Sequence, residues 1–405
     1  MLTILYPELM PIIRQMPVGL LPFNLPGEDR PSLIVKVPKE YILAAKINAS
    51  FKIYITPVQV EGLMTCGLAT AFFDDADEPL VLRTPLFNED FKNSLLGVLE
   101  GGPIDVHFFD ELSRELLVYH ATVSVPEASR LRLGMSAWVE PSNAVARAIL
   151  GGIDTYFGLR TQRDDNEAIV VSLDESVYGE GLFIQNLRPN DHEYHGSRGF
   201  SQTMLEREEP GHFQEEDIIQ CLQMTFPASE IFLSPKRVYD EEEVCDILVM
   251  TNSRALIIQA KDSPNIERIS RQKLSRKRAS TLGALNKAIE QIKGAIGYFR
   301  RQPDIVEIIA DGVTRSFDLR PRQLKSLIVV KELFGDQFRD YSTLLLGLIN
   351  EKGVDCIALD YPELFKYCAH LEDESGFFEA YDKVVTFARE HGEYPRLRLG
   401  VPENS

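Results

Sequence analysis

The chain has 405 residues and a net charge of −18, with 44% hydrophobic and 26% charged residues. This length predicts two or three domains, and no apolar run approaches the roughly 18 residues that a membrane-spanning helix needs. The apolar N-terminus lacks a basic leader and is interrupted by prolines and charges, so we predict no signal peptide and a cytoplasmic location. Five singly spaced cysteines argue against a disulfide framework or a cysteine zinc site.

The first half, to about residue 205, is rich in strand patterns. Apolar residues alternate in FKIYITPVQVEG, GLATAFF and PLVLRTPL, and IDVHFFDELSRELLVYHATV predicts a hairpin closed around residues 111–114. Helical periodicity appears at residues 89–99 and 143–150. The polar segment 186–212 contains prolines, glycines and charges, which makes it the best linker candidate.

The second half alternates helix and strand patterns. After a helix at EEDIIQCLQMTF and a strand at EIFLSPKRVYD, the stretch VCDILVMTNSRALIIQAKD predicts a hairpin. A long basic helix over residues 280–301 follows, then LKSLIVVKE as a strand, DQFRDYSTLLLGLINEKG as a helix, VDCIALDY as a strand, and closing helices. We therefore predict a strand-rich α+β domain over residues 1–205, and an α/β domain with a mixed sheet flanked by helices over residues 206–405.

The predicted hairpin carries polar groups within its apolar runs. A turn centred between Asn252 and Ser253 places Asp246 opposite Gln259, with Cβ atoms ~4.5–5.5 Å apart. Lys261 shares the face of Gln259 because side chains alternate along a strand. Oxygen ligands suit Mg²⁺, which activates water and neutralises phosphate charge, and a lysine stabilises developing negative charge. These are the groups that a metal-dependent phosphodiesterase needs.

Basic charge is concentrated in one segment. Residues 268–301 contain ten Lys or Arg and one acid, so this segment carries +9 while the rest of the chain carries −27. Its cations can neutralise phosphates without reading bases, and the candidate nucleic-acid contacts are Arg271, Lys273, Arg276, Lys277, Arg278 and Lys287. An open alternative is a merely solvated helix face, or a contact for an acidic partner that includes the first half of this chain.

The helix in this segment is amphipathic. Apolar residues recur every three or four positions and predict packing on the sheet, at Leu285, Ala288, Ile289, Ile292, Ile296 and Phe299. Lys287 and Gln291 lie one turn apart at the margin of this stripe. We therefore expect this edge of the helix to face the hairpin site.

Four sequence elements, taken in chain order, resemble those of one protein family. Asp246 and the run Gln259-Ala260-Lys261 match the D…(E/Q)xK core of the PD-(D/E)xK nuclease superfamily, in the glutamine form similar to Mrr-type restriction endonucleases. GHFQEEDIIQCL resembles the opening helix of Mrr and nuclease-related (NERD) domains, and NKAIEQIKGAIGYF the helix after the lysine strand. The resemblance covers roughly residues 211–301 and implies a restriction-endonuclease-like fold for the second domain.

The resemblance also implies roles for the residues of the hairpin. Asp246 would be the central ligand of Mg²⁺ or Mn²⁺, with the carbonyl of Ala260 as a further ligand. Gln259 would be a neutral ligand or would position a water, and it removes one charge where most of the superfamily has Glu. Lys261 would be the catalytic cation.

Two helices would complete the site. Glu215 would be the acid of the opening helix that supports the metal, and Glu216, one position on, is the alternative. Gln291 takes the place of the polar residue on the helix that follows the lysine strand.

The implied function is metal-dependent hydrolysis of phosphodiester bonds in DNA, in restriction or antiviral defence. Many members of the superfamily cut as dimers, which implies a homodimer here, and the first domain would select the substrate, a protein partner or an activator. The sequence leaves two other hypotheses open. One is a catalytically inactive nuclease-fold module that binds DNA or a partner because Gln259 cannot retain the metal. The other is a regulatory protein whose acidic first half sequesters its own basic helix.

Overall fold

The computed structural model describes residues 1–396, except for 17, 26, 28, 76–77, 87–88, 99, 101, 138, 180 and 372. Over these residues the protein is a mixed α/β protein with several sheets. None of the described helices is both long enough and apolar enough to span a membrane.

The first half is built on an eight-stranded sheet, as its strand-rich pattern predicts. The strand order is β1-β2-β6-β7-β8-β3-β4-β5, and all neighbours are antiparallel except β2 and β6. The predicted hairpin around residues 111–114 is confirmed as β6 and β7. The strands are β1 (Gly19–Phe23), β2 (Ser32–Lys36), β3 (Ser50–Val60), β4 (Leu63–Phe72), β5 (Leu80–Pro85), β6 (Gly102–Phe109), β7 (Glu115–Ser124) and β8 (Ile169–Ser176).

Helices cover this sheet, and two of them were expected from the sequence. The helix predicted over residues 143–150 continues to Gly158. Gly152 lies so close to β3 that an added Cβ would be 2.6 Å from Val58. Helix α3 buries Ile42 and Leu43 in the core of the sheet. The helices are α1 (Leu2–Leu5), α2 (Met10–Gln15), α3 (Lys39–Asn48), α4 (Glu89–Val98), α5 (Glu127–Met135), α6 (Asn143–Gly158) and α7 (Gln162–Glu167), with a 3-10 turn at Pro7–Leu9.

Segment 186–212, the linker candidate, is folded onto the second half. It contains a 3-10 turn (Pro189–His192) and strand β10 (Ser201–Met204), which pairs with β9 (Phe183–Asn186). Tyr194 is buried in the core of the second half, and the backbone of His195 exchanges hydrogen bonds with residues 231 and 233 of that half. The polar composition therefore marks a packed connection, and the boundary at residue 205 stays a prediction.

The second half contains a five-stranded sheet of order β11-β13-β14-β17-β18. β13 and β14 form the predicted hairpin, while β14, β17 and β18 run parallel, as expected of a mixed sheet. Both faces of β14 are buried, in keeping with its continuous apolar run. The strands are β11 (Ile231–Leu233), β12 (Lys236–Arg237), β13 (Ile247–Met250), β14 (Arg254–Lys261), β15 (Val306–Ala310), β16 (Val313–Phe317), β17 (Gln323–Val330) and β18 (Asp355–Asp360).

The single strand predicted at EIFLSPKRVYD is two short strands. Ser234 has φ +46° and is followed by Pro235, so the chain turns between β11 and β12 and joins a different sheet. β12 pairs with β15, which forms a hairpin with β16.

The long basic helix packs on β14 and β17, as its periodicity predicts. It begins at Leu274, earlier than predicted, because Arg, Lys and Ala in SRKRAS favour helix. All six residues of the predicted apolar stripe are buried. The helices of this half are α8 (Gly211–Leu222), α9 (Glu267–Ser270), α10 (Leu274–Phe299), α11 (Phe338–Lys352), α12 (Tyr361–His370) and α13 (Glu374–His391), with a 3-10 turn at Ala228–Glu230.

Candidate functional site

The hairpin has the register that its turn predicts. Ile247 pairs with Ile258, and the same register continued by one residue sets Asp246 opposite Gln259. Asp246 and Gln259 are 6% and 2% exposed. The Asp246 carboxylate caps the end of the hairpin, since its Oδ2 accepts the backbone N–H of Ala260 at 2.6 Å. The aspartate is thus fixed at the carboxyl end of β14.

Three oxygens converge on the ammonium group of Lys261. Its Nζ donates to the carbonyl oxygen of Ala260 at 2.8 Å, to Oδ2 of Asp246 at 3.0 Å and to Oε1 of Gln259 at 3.3 Å. A carboxylate, a carbonyl and an amide oxygen therefore surround one positive charge. These are the three oxygen donors that the family resemblance names as metal ligands.

Helix α8 packs on β14 and brings Glu215 to this cluster. Burial raises the pKa of Glu215 to about 8, and the negative charges of Asp246 and Glu243 act in the same direction while Lys261 opposes them. The neighbouring Glu216 is bound elsewhere, with Oε1 2.9 Å from the guanidinium of Arg198. Of the two acids left open by the sequence, Glu215 is the one whose charge is coupled to the hairpin.

Glu243 is a member of the cluster that the sequence pattern did not reveal. The residue is exposed, but its carboxyl is hydrogen bonded to Asp246. Desolvation of the carboxyl group itself, together with that contact, raises the pKa of Glu243 to about 7. The segment is held in place because the N–H of Val244 donates to the carbonyl of Pro235, and that of Ser234 to the carbonyl of Asp246, each at 2.8 Å.

A cleft beside the hairpin contains the predicted helix residue. Gln291 of α10 is exposed and lines this cleft together with Gln259, Glu243 and Arg237. Lys287 is exposed one turn earlier on the same helix. The edge of α10 that carries Gln291 therefore faces the hairpin, as its periodicity predicts.

The donor set has the chemistry of a site for a hard divalent cation. Within the described residues, no group of three His, Cys, Asp or Glu side chains is arranged to hold a metal ion, so any site here would need the amide of Gln259 and the carbonyl of Ala260. Oxygen-only donors suit Mg²⁺ and Mn²⁺. Lys261 contributes one positive charge against the three acidic side chains of Asp246, Glu215 and Glu243, so full ionisation leaves this group of four negative. A divalent cation would offset that charge.

The predicted nucleic-acid contacts separate into two groups. Arg271, which is bound to Glu267, is exposed, as are Lys273, Arg276 and Lys287. The other two cations, Lys277 and Arg278, form ion pairs with the first half of the chain. A second cleft, between the two halves, is lined by Lys261, Arg276 and Lys277 among others. Basic residues thus lie on α10 and just before it, but Arg271, Lys277 and Arg278 already have acidic partners.

The chain matches no protein-family model, no curated protein and no solved structure in the three comparisons made.

Proposed function

We propose that the hairpin of the second half is the active site of a metal-dependent nuclease of PD-(D/E)xK type, which hydrolyses phosphodiester bonds in DNA. The second half would then be a restriction-endonuclease-like domain. The observation that carries the proposal is the convergence of Asp246, Gln259 and the Ala260 carbonyl on Lys261. Glu215 and Glu243 lie beside that point, and a cleft lined by Gln259, Glu243 and Gln291 adjoins it.

The residues divide the chemistry between them. Asp246, Gln259, the Ala260 carbonyl and Glu215 would hold Mg²⁺ or Mn²⁺, and Glu243 would add the negative charge that Gln259 lacks. The bound metal would lower the pKa of a coordinated water and neutralise phosphate charge. Lys261 would stabilise the negative charge that develops on the phosphate oxygens, and Gln291 would hold the substrate or the water through its amide.

Charge along α10 supports a polyanionic substrate. Arg276 and Lys287 are exposed on the helix whose edge also carries Gln291. Cations in such a row neutralise successive phosphates and select no base sequence. The exposed cations of α10 would therefore guide the nucleic-acid backbone towards Lys261.

One observation favours an inactive binding module as the second candidate. Lys261 already satisfies the oxygens of Asp246, Gln259 and Ala260, and a neutral Gln259 attracts a metal less than a glutamate would. A domain of this kind would bind DNA through α10 without cutting it.

Cleavage assays separate these functions. Purified protein is incubated with supercoiled plasmid and with linear duplex in Mg²⁺, Mn²⁺ or EDTA, beside the variants Asp246→Ala and Lys261→Ala. We expect metal-dependent cutting that each variant reduces by about 10²–10³-fold, as for loss of a group that stabilises transition-state charge. DNA that stays intact in both metals, but is bound in a salt-sensitive way, would support the binding module instead.

A further inference from the structure

An acidic connection of the first half reaches the basic helix of the second. The connection between β4 and β5 carries Asp74 and Glu78, which we call the clasp. Asp74 Oδ2 lies 2.5 Å from Nζ of Lys277, and Glu78 Oε2 lies 3.4 Å from the guanidinium of Arg278. The clasp therefore pairs with two of the six cations that the sequence assigns to phosphate binding.

A second hydrogen bond fixes the position of the Asp74 side chain. Its Oδ1 accepts the backbone N–H of Leu80 at 3.2 Å, which leaves Oδ2 for Lys277. The side chains of Asp74 and Lys277 are 8% and 16% exposed. A phosphate from solvent would therefore have to displace Asp74 in order to reach Lys277.

The clasp lies on the path that leads from the candidate site. Asp74 and Leu80 line the same cleft between the halves as Lys261, Arg276 and Lys277. A nucleic-acid backbone that follows α10 away from Lys261 would meet the carboxylate of Asp74. The acidic connection thus fills the space that a phosphate would take and pairs with the cations that would bind it.

The two halves are anchored elsewhere, so the clasp can open without their separation. Asp217 of α8 is buried, and its carboxylate lies 2.6 Å from Lys39 and 2.5 Å from Arg114, both in the first half. Within the clasp, Glu78 is the peripheral member, since its side chain is 61% exposed. Displacement of Asp74 and Glu78 would release Lys277 and would leave Arg278 with its second acidic partner, Asp336, whose Oδ2 lies 2.9 Å from the guanidinium.

We propose that Asp74 and Glu78 act as an internal phosphate mimic, which competes with a nucleic-acid backbone for Lys277 and Arg278 and lowers the affinity of the protein for DNA. The identity of the competing ligand rests on the proposed function. The ion pairs themselves are features of the fold, so the two proposals can fail separately.

The test is equilibrium binding of a fluorescein-labelled duplex in EDTA at several salt concentrations. The variant is Asp74→Asn with Glu78→Gln, and the matched control is Glu61→Gln with Glu140→Gln, which removes two exposed acids from the same half. We expect the clasp variant to bind about tenfold more tightly than the control at about 0.1 M salt. Its plot of log affinity against log salt should steepen by up to about 1.8, because each newly neutralised phosphate adds ~0.9, and the full value requires a phosphate to displace Asp336 from Arg278 as well.

Two further variants keep the result decisive. Glu78→Gln alone changes an exposed residue and leaves Asp74 in place, so it should fold normally and steepen the slope by up to about 0.9, since Arg278 keeps its contact with Asp336. In a chain that also carries Lys277→Ala and Arg278→Ala, the gain from removing the clasp should vanish. Equal affinity of the clasp and control variants would overturn the proposal, as would a gain that survives without the two cations, or no DNA binding by any variant.

Cleavage is measured separately. A protein that binds DNA more tightly without its clasp but cuts nothing in Mg²⁺ or Mn²⁺ would contradict the nuclease proposal and leave the phosphate mimic standing. If the clasp and control variants bind DNA with equal affinity and the protein cuts DNA, the phosphate mimic is contradicted and the nuclease proposal stands.

Discussion

Two carboxylates of helix α8 lie two residues apart and meet opposite electrostatic environments. Burial alone would raise the pKa of Asp217, but the cations Arg114, Lys39 and Arg207 together hold it well below its usual range. Burial also raises the pKa of Glu215, and there the nearest charges are mostly other carboxylates, so it reaches about 8. Cations therefore balance the negative charge on the face of α8 that carries Asp217, but not on the face that carries Glu215.

The difference separates a structural ion cluster from a candidate site. A buried charge that serves packing is paired within the protein, as Asp217 is. A carboxylate left without sufficient positive charge raises the free energy of the folded chain, and such groups cluster where a ligand supplies the missing charge. Of the two faces of α8, the hairpin face is therefore the one that the proposed function would use.

The largest effect is expected on the compensated face. Asp217→Asn removes the anion shared by Lys39, Arg114 and Arg207, and we expect it to lower the free energy of unfolding by about 3–5 kcal/mol. Glu215→Gln, on the same helix, should change it by less than about 1 kcal/mol, because a carboxyl with a pKa of about 8 is mostly protonated at pH 7 and glutamine resembles that neutral form. Urea denaturation measures both. A Glu215→Gln variant as unstable as Asp217→Asn would remove the distinction between the two faces.

A substitution on β14 tests the unbalanced negative charge on the hairpin face of α8. Gln259→Glu adds a fourth acid beside Lys261, so we expect Mn²⁺ to bind about tenfold more tightly, a change of ~1.4 kcal/mol, while the metal-free chain becomes less stable. The matched control is Gln302→Glu, an exposed position that does not line the cleft. Calorimetric titration and thermal unfolding measure the two effects. Unchanged metal affinity would mean that residue 259 does not face a bound cation.

The smallest effect concerns the margin of α10. Lys287→Gln should reduce the salt slope of DNA binding by about 0.9, as for the loss of one phosphate contact. Lys293→Gln is the control on the same helix, because Lys293 is paired with Glu290 and Glu351. Fluorescence anisotropy at several salt concentrations measures the slopes. Equal slopes for the two variants would place the DNA away from the edge of α10 that carries Gln291.

Patterns within single segments of the sequence were sufficient to predict the hairpin of β13 and β14 and the buried face of the basic helix. A short turn fixes strand register, so the position of the turn alone sets Asp246 opposite Gln259, and apolar periodicity identifies the buried face of α10. The hairpin of β15 and β16 was missed, although Asp311-Gly312, both with positive φ, is a strong turn signal.

Contacts between distant segments could not be predicted in this way. Glu243 belongs to an acidic run whose local pattern is that of a solvated loop, and only its packing against Asp246 reveals it. Asp74 and Lys277 are 203 positions apart, and neither has a local signal for the other. The sequence raised a contact between the acidic half and the basic helix as a hypothesis, while the partners follow only from the fold.

The most direct test of the uncompensated charge is Mn²⁺ binding by calorimetry at pH 6 and pH 8.5. The chain is compared with Asp246→Asn and with Asp304→Asn, a control at an exposed acid. Because the pKa values of Glu215 and Glu243 are raised to about 8 and about 7, protons compete with the metal at pH 6, so affinity should rise with pH and binding should release protons. We expect one ion per chain, lost in Asp246→Asn and kept in Asp304→Asn. Absence of binding at pH 8.5, or binding that Asp246→Asn leaves unchanged, would contradict the account.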